Sequence, residues 1–456
     1  MSRPSDFADR AAAPDVAALE TAARRLVEAA LAAGADAADA VAVRGASLGV
    51  DVRFGVLEES TRSEAEDFGL RVFVGERIAT VSANTLAAID TLAGRAVDMA
   101  RVAPPDPWAG LAGRAALATS WPDLDLDDGR TLDADALVRE AAIVEDAARA
   151  VPGVTNSLGA SASWSRTAVA LATSEGFAGG YSLSRHGRAV SVIGGEGTRM
   201  ERDYEGCSRP HLSDLDPLET IGRTAGERVV KRLDPRRIET CTTTVVFDRR
   251  VASSLLGALA GAINGAAIAR GTSFLKTRLG QRIFPAGVRI SDDPRRPRGH
   301  ASRPFDGEGV RGLPLDVVDD GVLTTWLLDG ATARELGLAT NGRAARGTGS
   351  PGPSATNMLL HPGEKSREEL IRDVGTGLLV TEFIGHGVNP VTGDYSRGAS
   401  GYWIENGEIA YPVSEITVAG NLVDMFARLV PASDVEFRSA FVAPTLAIEG
   451  LTVAGT

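Results

Sequence analysis

The chain has 456 residues, 60 acidic against 48 basic side chains and a net charge of −12, enough length for two or three domains. An acidic chain with no basic block is a poor nucleic-acid binder, because that affinity rests on phosphate contacts, so no direct nucleic-acid partner is expected. Two cysteines and five dispersed histidines, none closer than His186 and His211, exclude a disulfide framework, a four-cysteine zinc site and a helical His pair at i, i+4.

The opening MSRPSDFADRAAAPD is polar and mixed in charge; without an apolar h-region it predicts no signal peptide and a cytoplasmic location. Residues 14–34 carry apolar positions at helical spacing, with Asp15 as N-cap and Gly34 as stop. From Asp39 to Ala83 the period changes to two, as in LGVDVRF and RIATVSA, which predicts antiparallel strands. A helix follows over Thr85–Val102 and ends at Pro104-Pro105. After a Pro- and Asp-rich connector the order recurs: a helix over Asp133–Val151, strand-like runs over 155–200 and a helix over 216–233. Either a duplicated α+β unit or two unrelated units fits this order.

Asp234-Pro235-Arg236-Arg237 marks a boundary, after which TTTVVF reads as a strand. Val251–Ala269 then runs without a charge. Its length would cross a membrane, but three glycines, two serines and Asn264 dilute it, and flanking arginines bound it. The reading is a buried helix of a soluble protein, with Gly257, Gly261 and Gly265 letting another backbone approach. Asn406-Gly407 predicts a type I′ hairpin. Two long loops, 291–313 and 341–356, are rich in Gly and Pro, and loops of that length are usually functional or mobile. The expected architecture is therefore α+β: units at 1–105 and 125–235 of antiparallel strands flanked by helices, then a larger strand-rich domain at 240–456 with the buried, Gly-striped helix.

Two constellations carry candidate chemistry. In the first loop, Arg295, Arg296, Arg298, His300 and Arg303 could clamp phosphates or a peptide carboxylate, or simply form a solvated loop offset by Asp292, Asp293, Asp306 and Glu308. In TEFIGHGVNPVTGDYSRG, His386 stands between glycines with Glu382, Asp394 and Glu405 near in sequence. A His–carboxylate acid–base pair is conceivable, as is a purely structural histidine. No G-x-S-x-G precedes it, and no phosphate-binding glycine motif occurs.

SDDP with PFDGEG at 291–309, DDGVLTTWLLD at 319–329, NGRAARG at 341–347, NPVTGDYSRGASGYWIENGEIAYPV at 389–413 and APTLAIEGLTVAG at 443–455 together resemble the PmbA/TldD metallopeptidase family. Residues 55–84 are similar to that family's opening domain. The resemblance implies a heterodimeric peptidase in which the TldD-type chain binds zinc through an H-E-x-x-x-H helix and a later Cys. Counting back from Gly271-Thr272-Ser273, the three helix positions here are Leu256, Gly257 and Gly261, and no cysteine lies in the last third of the chain. The resemblance thus implies the PmbA/TldE type: no catalytic residue and no cofactor on this chain, zinc on a TldD-like partner, and a peptide substrate. Two other readings remain: a regulatory binding protein of the gyrase-modulator kind, and a self-sufficient hydrolase using His386.

Overall fold

Alternation along one strand decides the first half of the molecule. In the computed structural model, which describes residues 15–455, strand β1 (Ala37–Arg53) turns Ala38, Ala40, Ala42, Val50 and Val52 to one face and Val41 to the other, as a two-residue period requires. The leader-peptide expectation rests on residues 1–14, which lie outside the described residues. Helix α1 (Val16–Ala32) precedes β1 and is capped by Asp15, whose side chain accepts from the Ala18 amide at 3.0 Å. β2 (Val56–Val74), β3 (Arg77–Ala83) and α2 (Ile89–Val102) follow. The second unit repeats this order as α3 (Ala134–Arg149), β4 (Val154–Thr173), β5 (Ala178–Gly194), β6 (Glu201–Arg209) and α4 (Leu218–Lys231).

The six strands form one antiparallel sheet in the order β3-β2-β1-β4-β5-β6. β1 pairs with β4 from Asp39↔Thr173 to Val52↔Ala160, so the two units share a single sheet with a two-fold-like arrangement about that pair. Helices α1 and α2 pack on one part of the face, α3 and α4 on the other. Both layers are rich in alanine: Ala23, Ala30, Ala93, Ala96 and Ala100 meet Ala38, Ala40, Ala168 and Ala170. Each larger helix residue buried there, such as Leu19 or Leu26, contributes on the order of 1.5–3 kcal/mol.

The opposite face of the sheet is covered by aromatic rings. Phe305 lies 4.8 Å from Phe177, 4.9 Å from Trp121 and 5.5 Å from Tyr181, each edge-on. Phe305 belongs to the 291–313 loop, so that loop fastens the C-terminal domain to the sheet. The 341–356 loop is the second fastening. It folds as a small hairpin of β11 (Ala344–Ala345) and β12 (Gly352–Pro353), and Thr348 presses so closely on β2 that a Cβ at Gly69 would stand 2.1 Å from the Thr348 carbonyl oxygen. β8 (Ile290–Asp292) leads into the first loop, and the stretch between the two loops holds β9 (Leu315–Asp319), β10 (Val322–Leu323) and α7 (Gly330–Glu335).

The C-terminal domain opens with β7 (Cys241–Phe247), which pairs in parallel with β14 (Gly377–Ile384) and antiparallel with β19 (Leu446–Ala454). β15 (Asp394–Glu405) and β16 (Glu408–Asn421) form the predicted hairpin, with φ of 52° at Asn406 and 78° at Gly407. β16 also pairs with β19, which closes β7, β14, β15, β16 and β19 into a barrel. A smaller sheet takes the order β10-β9-β8-β13-β18, where β13 is Met358–Leu360 and β18 is Phe441–Val442. Helix α8 (Arg367–Val374), closed by a Ser366/Glu369 capping box, α9 (Leu422–Ala427) and β17 (Val430–Pro431) complete the domain.

The uncharged segment is two helices, not one. α5 (Arg249–Ala262) ends before Ile263, and Asn264 caps α6 (Gly265–Ala269) by accepting from the Ala266 amide. Asn264 competes with the helix for its own backbone, which is why a side chain of that type breaks a continuous apolar run. No helix among the described residues is long and apolar enough to cross a membrane.

Candidate functional site

Helix α5 is built from Asp248, whose side chain accepts from the Arg250 amide, and from Val251, Leu255, Leu256 and Leu259, which face the barrel core. Leu256 is thus a core residue. Gly257 and Gly261 lie on the other side, where a Cβ would meet no atom within 4 Å. The close approach expected along the glycine stripe occurs at Gly265 alone, whose Cβ would fall 2.8 Å from the Leu327 carbonyl oxygen. The two open glycines leave one side of α5 bare.

Zinc does not fit these positions. A catalytic zinc takes three protein ligands, and Leu256, Gly257 and Gly261 carry no donor atom. Cys207 and Cys241 are both held in the thiol form by burial, and Cys207 accepts from the Asp216 amide at 3.4 Å. Among the described residues, no group of three or more His, Cys, Asp and Glu stands close enough to share a metal ion.

His386 follows β14 on an exposed loop and, among the described residues, makes no hydrogen bond. Each carboxylate near it in sequence is engaged elsewhere. Glu382 pairs with Arg232. Asp394 accepts from the Thr392 hydroxyl at 2.6 Å and from Asn421 Nδ2 at 3.1 Å. Glu405 sits against Tyr411. Ser400 is buried and accepts from Arg232 Nη2 at 2.9 Å. Gly387 serves the backbone: a Cβ there would be 1.7 Å from the Ser396 carbonyl oxygen. Around His386 stand three exposed apolar side chains, Ile384, Val388 and Val391.

Three arginines of the 291–313 loop, Arg295, Arg296 and Arg298, part company. Arg298 bonds Asp125 at 2.6 Å and Asp214 at 3.0 Å, tying the loop to the central unit. Arg296 lies over the Phe437 ring, 3.4 Å from its centroid. Arg295 has buried Nε and Nη2 atoms without a hydrogen-bond partner.

Several decisive pairings were not foreseen in the sequence. Arg343 and Asp292, both fully buried, bond at 2.5 Å and lock the two long loops together; Asp292 also accepts from the Thr356 amide and hydroxyl. Arg232, at the end of α4, reaches Asp203, Glu201 and Glu382 at once. Asp39 and Arg71 pair inside the sheet, and Arg346 of the second loop bonds Asp39 at 2.8 Å. The SDDP and NGRAARG motifs supply half of these contacts, but their spacing gave no sign of which charge meets which.

Three family models match consecutive stretches: the PmbA/TldA metallopeptidase domain 1 over 38–100, the central domain over 127–233 and the C-terminal domain over 240–455. Metalloprotease PmbA of Escherichia coli O157:H7 is 38% identical over 424 residues, 92% of each chain. A PmbA homologue of Haemophilus influenzae is 35% identical over 94% of each. A crystal structure from Bacteroides thetaiotaomicron, provisionally called a modulator of DNA gyrase, superposes with a TM-score of 0.87 at 27% identity over 95% of this chain and 98% of that one. TldE from Thermococcus kodakarensis, 18% identical, shares the fold with a TM-score of 0.84 over 95% of this chain and 99% of its own.

Proposed function

This chain belongs to the PmbA/TldD metallopeptidase family, and from that premise we propose that it is the subunit without metal in a two-chain peptidase whose zinc sits on a TldD-type partner. The observation that carries the reading is the chemistry of α5. At the three positions where the resemblance implies zinc ligands and a base, this chain has Leu256, Gly257 and Gly261, and Leu256 is spent on the core. The hydrolytic step therefore belongs to the partner. This chain's part is to complete the substrate chamber and admit unfolded or short peptides, held as an added strand.

The apolar rim of Ile384, Val388 and Val391 around His386 supports a surface that meets another chain or an extended peptide, since exposed apolar groups in one place commonly mark such contacts. A cytoplasmic location belongs to the same reading, supported by two free cysteines of the kind a reducing compartment keeps. The gyrase-modulator reading would require a protein contact, because a net charge of −12 disfavours DNA directly. The self-sufficient hydrolase finds no support in His386, which has no carboxylate partner among the described residues.

The test is reconstitution. This chain, a TldD-type chain and their mixture are assayed on an unfolded peptide and sized in solution. The expected result is cleavage by the mixture, a one-to-one complex and no cleavage by this chain alone. A partner fully active by itself and unaffected by this chain would overturn the proposal.

A further inference from the structure

Beneath the 291–313 loop, where it crosses β5, lies a cavity of about 180 Å³. Its polar lining comes from Tyr181, Ser184, Arg185, His300, Ser302 and Arg303, with Leu126, Leu183 and Pro210 as its apolar wall. No Asp or Glu lines it. The cavity is independent of α5 and of the peptidase reading.

The charge inside is not neutralised. Arg185 spends its guanidinium on His300 alone, donating to Nδ1 at 3.0 Å and to the carbonyl oxygen at 2.7 Å. Arg303 donates to the Ser354 carbonyl oxygen at 3.3 Å, and its Nε is buried without a partner. Among the described residues neither of these half-buried arginines has an ion pair, whereas the buried guanidiniums of Arg71, Arg188, Arg232 and Arg343 each have one. Asp306 acts on Arg303 only through space: it forms no ion pair with that guanidinium, and its oxygens accept from the amides of Glu308, Val310 and Ala344. Because an arginine can only donate, His300 Nδ1 must accept, which leaves the ring proton on Nε2 as one more donor. Burial, then Arg185, Arg209 and Arg296, push the His300 pKa down to about 4, so the ring adds no charge at neutral pH. Both guanidiniums are partly desolvated, which makes a missing counter-ion costly, and guanidinium is the group best suited to carboxylate and phosphate oxygens.

We propose that this cavity is a binding site for a compact oxyanion, the carboxylate end of a peptide or a phosphate group, gripped by Arg185 and Arg303. Of the loop residues that could form such a clamp, Arg303 and His300 line this cavity, joined by Arg185 of β5, while Arg298 is spent on Asp125 and Asp214.

The full chain is titrated calorimetrically with inorganic phosphate, with N-acetyl-diglycine and with the amide of that dipeptide. Saturable binding of either anion, with none of the amide, is the expected result. Phosphate alone identifies a phosphate site, and N-acetyl-diglycine alone a peptide-carboxylate site. Arg185→Met and Arg303→Met, which keep an apolar stem, should each weaken the bound anion by about tenfold or more, whereas Arg298→Met should leave it unchanged. Absence of saturable binding by both anions, or equal binding of the amide, overturns the proposal on the unaltered protein, whatever the variants do. So does undiminished binding in both well-folded variants.

Discussion

Glu308 has its carboxyl pushed up to about 7, first by burial and next by neighbouring Asp306, against the pull of Arg71 and of the Gly330 amide, which it accepts at 2.7 Å. Unfolded, the same group titrates near 4.5. Between those values the folded chain keeps a proton that the unfolded chain has lost, so stability falls as pH rises through the window and levels off above about 7. The full effect is on the order of 3 kcal/mol. Glu308→Gln keeps an acceptor for Gly330 and cannot ionise. Its stability relative to the unaltered chain, measured by urea denaturation, should therefore improve by about 2–3 kcal/mol between pH 5 and pH 8; a gap that does not change with pH would contradict the assignment. In the sequence, Asp306 and Glu308 looked like solvated counter-charges to the loop arginines. Both are buried, and no local pattern announces that, because what covers Glu308 comes from Arg71 on β2 and Gly330 on α7.

Arg232 shows the same limit for elements. The helix that carries it was legible from its apolar spacing. Its role was not, because its partners lie on β6, β14 and β15. Arg232→Met would leave Asp203, Glu201 and Glu382 without their shared cation, and removing one partner of a buried ionic network costs about 3–5 kcal/mol. Urea denaturation should show that loss, and limited proteolysis should open the chain near 234–240, where the central unit meets the barrel. A variant as stable as the parent would mean that the docking rests on apolar contact alone. The type I′ hairpin at Asn406-Gly407 was readable because its turn chemistry is local. The break between α5 and α6 was missed because apolar periodicity outweighed the single capping residue, Asn264.

At the scale of the whole molecule, the helices and strands of the N-terminal units followed from periodicity, while the sheet that joins those units depends on the β1–β4 pairing, whose members are more than a hundred residues apart. The long Gly- and Pro-rich loops, read as functional or mobile, are held as straps by Phe305, Arg343 and Thr348 against the sheet and each other, and the first also lines the proposed oxyanion cavity. Much of the family's most recognisable sequence in this chain is therefore architecture, and the candidate site is marked by what α5 lacks. That lack was readable only through resemblance, since leucine and glycine in an apolar run attract no notice by themselves. The most direct test is metal analysis of the purified chain after incubation with zinc and removal of excess, alongside a TldD-type chain treated identically. The account predicts zinc far below one per chain here and one per chain in the partner; stoichiometric zinc in this chain would contradict it.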